Sequence, residues 1–570
     1  MAFQISPGVN VSEVDLTTVV PSILTTAGAT AGSFNWGPAF KRIQVDSEIT
    51  LAKVFGTPTT NAYTTFLNAA SFLAYGNNLQ VVRAANNQVY NADANTQTTN
   101  VQISNEDVFQ ATYLTSGNAN TFGPFVARYP GALGNSLTIS VVDGASYSTS
   151  WNINSIGVSS YVNGAPGTSS QCSSAGGLND EIHVIVVDTG GLFSGVKNTV
   201  LEVFQYLSKG RDSTDSLGNS NYYKNYIFNN SKYIYAVDPV SYATTNATWG
   251  SSLTGTTFAT VPVPQTVTLS GGTDATTQDS DRINGYSLFT NADEVNVSLM
   301  LTSDHGVAVQ QYAIDYIANA RKDCLTFLSP PSANVINQTG NETTNITAWN
   351  NALNRSTSFA VADSGWKYMF DKYNNVYRWV PLNGDIAGLC VNTDNVRDPW
   401  FSPAGFNRGN LKNVVKLAWN PNKTQRDTLY AQGVNPVATF PGNGTVLYGD
   451  KTLQSKPSAF DRINVRRLFI VLEKSIANAA KYSLFEFNDE TTRAQFVGLV
   501  TPFLRDIQGR RGIYDFRVVC DTTNNTPQVI DANQFVGDIY IKPARSINFI
   551  QLNFVAVRTG VDFTEVVGKF

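Results

Sequence analysis

The chain has 570 residues, enough for about three or four domains and several buried cores without disulfide staples. Only 14% of residues are charged, well under the roughly 25% of ordinary soluble domains, and the net charge of −4 excludes a generally basic nucleic-acid binder. Charge is unevenly placed. Residues 456–570 hold 15 Lys and Arg against 12 Asp and Glu, so this end carries +3 and the remainder −7. That asymmetry suits an acidic partner for the C-terminal part, or is chance. Cys172, Cys324, Cys390 and Cys520 lie far apart with no metal-ligand spacing, as expected of free buried thiols in a reducing compartment. The start, Met1-Ala2-Phe3-Gln4-Ile5, has no secretory pattern, and no apolar run reaches transmembrane length, so assembly in a cytoplasm is expected.

In chain order, the first 20 residues read as an extended arm, with a Pro7-Gly8 turn and Val9, Val11 and Val14 among polar residues. Residues 21–86 read as an α/β unit. It has a strand at 43–45 and an amphipathic helix over 61–75 with Phe66, Ala69, Ala70 and Leu73 on one face. Gly76 ends that helix, and a strand follows at 79–83. Residues 87–122 are Asn/Thr-rich, with little to bury. Strands are expected at 137–142 and 182–187. Val196, Val200, Val203, Phe204 and Leu207 share a helical spacing that predicts a helix over 196–207. Residues 241–280 read as hairpin or loop.

From Glu294 the α/β character returns. Strands are expected at 297–301 and 324–328, a helix between them at 307–320, and a further helix over 347–362. Aromatic segments 366–370 and 376–380 read as a β-hairpin. Two helical stripes follow. One carries Val465, Leu468, Phe469, Leu472, Ile476 and Ala479. The other carries Phe496, Leu499, Val500, Phe503, Leu504 and Ile507, and Pro502 predicts a kink or a break at Thr501. Strands are expected at 513–520, 534–541 and 548–557. In the last, Ile550, Leu552, Phe554 and Ala556 share one face.

The search for chemistry is negative. Gly442-Asn443-Gly444 begins like a dinucleotide fingerprint, but Leu447 stands where the third glycine belongs, and no glycine-rich turn precedes Lys-Ser/Thr. A turn is the better reading. The two histidines, His183 and His305, lie far apart. His183 alternates in a strand, and Asp304-His305-Gly306 ends a strand and caps the next helix. No Gly-x-Ser-x-Gly elbow is present. No catalytic, cofactor-binding or metal residue is therefore assigned, and no cofactor is expected. Both termini read as lone strands that either complete their own sheet or add to a neighbour's. Arg466, Arg467, Arg493, Arg505, Arg510 and Arg511 either form solvated helix faces with local ion pairs or meet a partner.

One set of motifs runs in order along nearly the whole chain. It starts with Pro7-Gly8-Val9-Asn10-Val11-Ser12-Glu13 and Tyr129-Pro130-Gly131-Ala132-Leu133-Gly134-Asn135-Ser136-Leu137. It continues with Val380-Pro381-Leu382-Asn383-Gly384-Asp385-Ile386-Ala387-Gly388-Leu389 and Arg397-Asp398-Pro399-Trp400-Phe401-Ser402-Pro403-Ala404-Gly405. Phe440-Pro441-Gly442-Asn443-Gly444 and Asn464-Val465-Arg466-Arg467-Leu468 close it before the terminal strand. This ordered set resembles contractile bacteriophage (myovirus-type) tail sheath proteins. The stretch 87–122, where some members carry a larger outer domain, and Pro502 depart from the pattern.

The resemblance implies an α+β/α/β multidomain fold of nested discontinuous domains, with an inner α/β domain built from both chain ends and β-rich outer insertions. The boundaries expected are a linking arm 1–20, a middle domain from 21–86 plus 281–455, an outer domain 87–280, an inner tube-facing domain 456–545 and a C-terminal arm 546–570. It implies a structural subunit, not an enzyme. Such subunits polymerise as stacked hexameric rings around a tail tube and contract by stored conformational energy, without nucleotide. Partners implied are further copies, the tail tube protein, and baseplate and tail terminator proteins, with no direct nucleic acid and no membrane insertion. The location implied is the virion tail, assembled in the host cytoplasm. Arg493, Arg505, Arg510 and Arg511 are the tube-contact candidates, and Val9, Val11, Val14, Ile550, Leu552, Phe554 and Ala556 the strand-exchange candidates. The competing reading is a secreted or surface-layer β-rich self-assembling protein.

Overall fold

The computed structural model describes residues 23–94, 100–114, 123–237, 248–548 and 550–551. Along the chain, β1 (Gly28–Gly32), β2 (Arg42–Val45), helix α1 (Glu48–Phe55), α2 (Tyr63–Leu73) and β3 (Leu79–Arg83) come first. Four strands follow, β4 (Leu137–Asp143), β5 (Glu181–Asp188), β6 (Thr199–Ser208) and β7 (Gln265–Thr268). Then come β8 (Leu299–Leu301), β9 (Leu325–Leu328), α3 (Glu342–Leu353), β10 (Ala360–Asp363), β11 (Trp366–Asp371), β12 (Val376–Pro381) and α4 (Asn383–Val396). The last third holds β13 (Lys416–Leu417), β14 (Val434–Asn435), β15 (Val437–Phe440), β16 (Gly444–Leu447), α5 (Ile463–Ala480), α6 (Glu490–Gly509), β17 (Ile513–Val519) and β18 (Asp538–Pro543).

A seven-stranded sheet of order β14-β10-β9-β8-β1-β3-β2 forms the centre. All its pairs are parallel except β2 with β3. Its two halves, distant in sequence, meet where Gly28 pairs with Leu299 and Thr30 with Leu301. Strands buried on both faces need continuous apolar runs, and β1, β8, β9 and β10 are buried at every position. On one face α2 and α4 bring Phe66, Phe72, Ile386 and Leu389 onto Leu79, Val81 and Leu299. α2 and α4 approach so closely that a Cβ on Gly384 would stand 2.3 Å from the Asn68 carbonyl oxygen. On other faces Tyr286, Phe289 and Ile317 form a second core and Trp349, Leu353 and Trp366 a third. A separate four-stranded sheet, β7-β4-β5-β6, comes wholly from residues 137–268.

Several expectations are corrected. The helix expected over 196–207 is strand β6, antiparallel to β5. Two register shifts break its alternation, and Tyr206 at the second adopts a φ of 55°. Bulges of this kind move apolar positions off a period of two, so the spacing imitates a helix. The helix expected over 347–362 ends at Leu353, because Asn354 takes a left-handed cap with φ 46°. The chain then enters β10, whose four residues are all buried. The stretch 87–122 does bury side chains: Val101, Ile103 and Phe109 pack on Val126, Tyr235 and Val237, residues far ahead in the sequence. Pro502 neither breaks nor ends α6, which runs from Glu490 to Gly509. The carbonyl that loses its partner belongs to Gly498, which is exposed, so the group is not buried without a partner. The hairpin of β11 and β12 and the turn at Gly442–Gly444, between β15 and β16, stand as expected.

Candidate assembly surfaces

The C-terminal unit is built from α5, α6, β17 and β18. Leu468, Leu472 and Ile476 of α5 meet Phe496, Val500, Leu504 and Ile507 of α6, over Trp400, Ile513 and Cys520. Phe503 is only half-buried against this core. Asp489 caps α6 by accepting from the Thr492 amide at 2.8 Å.

The arginines divide into inward and outward sets. Arg467 donates both Nη atoms to the Asp394 carboxylate of α4, at 2.7 and 2.6 Å, and is buried. The carboxylate holds the guanidinium well above its ordinary range against the opposing effect of burial. Arg466 is buried between the Phe359 and Phe460 rings, 4.2 and 4.0 Å from their centroids. Both therefore bolt α5 to the central domain, which resolves their two readings in favour of structure. Arg493, expected to be available to a partner, is also turned inward. It is buried, and its Nη1 donates to the Asn488 carbonyl and side-chain oxygens at 3.1 and 2.7 Å. Arg510 is half-exposed, lies over the Trp400 ring and pairs with Asp398 and Asp506. Arg505 and Arg511 are exposed and have no side-chain hydrogen bond or ion pair among the described residues. The sequence marks Arg505 and Arg511 as cations but not Asp394 or Asp398 as their neighbours' anchors, because those acids arrive from 73 and 112 residues away.

β17 and β18 form a two-stranded antiparallel sheet with no third strand on either edge among the described residues. Phe516, Val518, Ile539 and Ile541 lean on the helical core, while Tyr514 and Tyr540 are exposed on the other face. A two-stranded sheet is marginal by itself, and its bare edges present unpaired backbone groups. The amino end of the described chain is held on α4, and the carboxyl end runs on from β18. Thr25 donates to Asp394, the acid that also holds Arg467. After Pro543, Ser546 donates to Asp450, and Asn548 donates to Asp450 and the Tyr430 hydroxyl. Ile547 and Ile550 are exposed there, 82% and 78%. Residues 548, 550 and 551 carry no strand pairing. Val9, Val11, Val14, Leu552, Phe554 and Ala556 lie outside the described residues.

The histidines serve packing. Buried His183 donates from Nε2 to the Gly164 carbonyl and accepts the Tyr206 amide at Nδ1, so it ties down the bulge of β6. Burial lowers its pKa, which keeps it neutral. His305 is buried and bonds the Ala31 carbonyl at 2.7 Å, joining the loop after β8 to the end of β1. Gly306 precedes the following helix, without a side-chain cap. All four cysteines are free and buried. Among the described residues no group of three His, Cys, Asp or Glu could hold a metal ion.

Residues 306–453 match the model of the phage tail sheath protein central domain, and residues 455–556 that of the phage tail sheath C-terminal domain. The tail sheath protein of Vibrio phage KVP40 is 33% identical over 99% of this chain and 100% of its own length. That of Enterobacteria phage T4 is 34% identical over 99% of both chains. In fold, the sheath tail protein of Listeria innocua aligns with 91% of this chain and 96% of its own, at a TM-score of 0.52 and 12% identity. The chain belongs to the phage tail sheath protein family.

Proposed function

We propose that this protein is a structural subunit of a contractile phage tail sheath. It polymerises as stacked hexameric rings around a tail tube, and drives the tube through the host envelope when the lattice relaxes to a better-packed state. The full-length likeness to tail sheath proteins supports this reading over a secreted or surface-layer assembly protein. The observation that carries the mechanism is the open two-stranded sheet of β17 and β18, from which the described chain runs on to its carboxyl end, while its amino end is held on Asp394 of α4. Arms from neighbouring copies, 1–20 and 546–570, would pair with its edges by β-augmentation, leaving domains free to rotate while the mesh stays linked. The nested layout proposed is an inner unit of both chain ends, a middle unit of 21–86 and 281–455, and an outer unit of 87–280. The strand order of the central sheet supports it, since two distant segments share one sheet while 137–268 forms its own.

The work is conformational, and no catalytic turnover is proposed. The protein would act in the virion tail after assembly in the host cytoplasm, with tube, baseplate and terminator proteins as partners. Deleting residues 1–16 tests the reading. Purified full-length protein should show long hollow tubes by negative-stain electron microscopy, and the truncated chain should stay folded and soluble without them. Full-length sheaths from the truncated chain would remove the arm from the mechanism.

A further inference from the structure

The turn joining α5 to α6 is an aromatic projection. Tyr482, Leu484, Phe485 and Phe487 are 86%, 63%, 106% and 85% exposed within six residues. Phe485 holds a φ of 69°, a conformation a bulky side chain rarely adopts. Exposed Glu486, Asp489 and Glu490 flank these rings in the chain against one exposed cation, Lys481, so the turn is net acidic. An apolar patch of this density on an acidic collar marks a contact surface.

A matching depression lies in the central domain. Leu411, Val414, Val415, Leu417, Thr439 and Thr445 line an open groove of about 500 Å³ between β13 and the hairpin of β15 and β16. Lys416, also in its wall, lies over the Tyr368 and Trp379 rings, and Arg426 stands over Phe440 and Tyr448 nearby. Lys423 and Asp427, both exposed, share the helix that carries Arg426. The groove is thus apolar with a basic rim, where the turn is apolar with an acidic rim.

The two cannot meet within one molecule. α5 starts where the Ile463 amide bonds the Asp450 carbonyl, and its 18 residues carry the chain about 27 Å onward. Near its far end Lys474 reaches Asn296 and Asp323, residues that precede β8 and β9. Of the groove strands, β15 instead follows the carboxyl end of β14, and β13 pairs with β11, which follows the carboxyl end of β10. The turn therefore projects from the amino-terminal side of the central sheet and the groove opens on the other.

We propose that the 482–487 turn of one copy docks in this groove of a second copy. The inference rests on the sheath-subunit reading and names one of its joints. Because donor and acceptor surfaces differ, the contact is head-to-tail and propagates as a ring or helix rather than closing as a twofold dimer.

Cysteine pairs test it, with the four native thiols buried and slow to compete. Full-length Phe485→Cys and Val415→Cys chains are mixed under assembly conditions and oxidised. The expected product is a mixed disulfide dimer, absent from either chain alone, and a ladder from the chain carrying both substitutions. Phe485→Ser with Phe487→Ser should raise the concentration for half-maximal polymerisation at least tenfold. Glu486→Lys should weaken assembly with wild-type chains and recover it with Lys416→Glu chains. Wild-type tubes without the mixed cross-link, or cross-linking of Phe485→Cys to the tube protein or to itself, would overturn the docking. Failure of the wild-type chain to form tubes would instead overturn the sheath-subunit reading.

Discussion

Asp363, at the end of β10, is fully buried; its carboxylate accepts from the Ser329 hydroxyl at 2.6 Å and the Gly365 amide at 2.9 Å. Burial pushes its pKa up to about 8, and nearby Asp385 adds to the effect. The folded state thus binds this proton more tightly than the unfolded chain does, with its ordinary value near 3.9. The associated stability is complete below about pH 4 and is lost as pH rises towards 8. Asp363→Asn should flatten the decline of Tm expected for the parent chain between about pH 4 and 8, measured by scanning calorimetry. An unchanged slope would assign the pH dependence elsewhere. Arg467 behaves oppositely, as one half of a buried bidentate pair. Removing one partner leaves a buried charge uncompensated, so Arg467→Ala should cost about 3–5 kcal/mol in urea unfolding. Arg466 and Arg467 look alike in the sequence to Arg505 and Arg511. The tertiary packing of α5 on α4 separates them.

At the scale of elements, α6 carries its core stripe on Phe496, Val500, Leu504 and Ile507 and leaves Arg505 beyond it. The spacing of four and three residues made that legible in advance. It could not show that Arg493 folds back on Asn488, or that Arg510 is spent on Asp398 and Trp400. Arg505 and Arg511 are the better tube-contact candidates. Exposed pairs are individually worth about 0–1 kcal/mol, and ring repetition multiplies them. Arg505→Glu with Arg511→Glu should give sheath polymers that fail to capture tube, seen as empty cylinders in micrographs. Normal tube-filled tails would rule the assignment out. Pro502→Ala restores an amide at an exposed turn of α6, and should raise stability by up to about 3 kcal/mol without altering assembly. Guanidinium melts of the two chains check it.

For the whole molecule, the parallel pairing of β1 with β8 makes the two halves of the central sheet one cooperative body. Proteolysis between residues 87 and 280 should therefore leave 23–86 bound to 281–455 through native size exclusion. Separation of these flanks would count against the nested layout. The sheath reading needs such a body, to which Thr25 and Arg467 of α5 are both held through Asp394.

Much of this protein was legible from its chain alone. Strands at 79–83, 137–142, 182–187 and 324–328, the helices α2, α5 and α6, and the hairpin of β11 and β12 follow from local periodicity, because each buries its own regular face. The ordered motifs pointed to the family for the same local reason, since turns such as Gly442–Gly444 impose backbone conformations that only certain residues adopt. Tertiary structure decided what depends on distant partners. β6 is a strand because β5 offers it an edge to pair with and its own bulges absorb the helical spacing. Phe109 is buried because Tyr235 stacks on it at 4.0 Å. The open edges of β17 and β18, and the opposite placement of the aromatic turn and its groove, exist only once the chain is folded. Unpaired backbone and exposed surface are defined by what the rest of the molecule leaves uncovered.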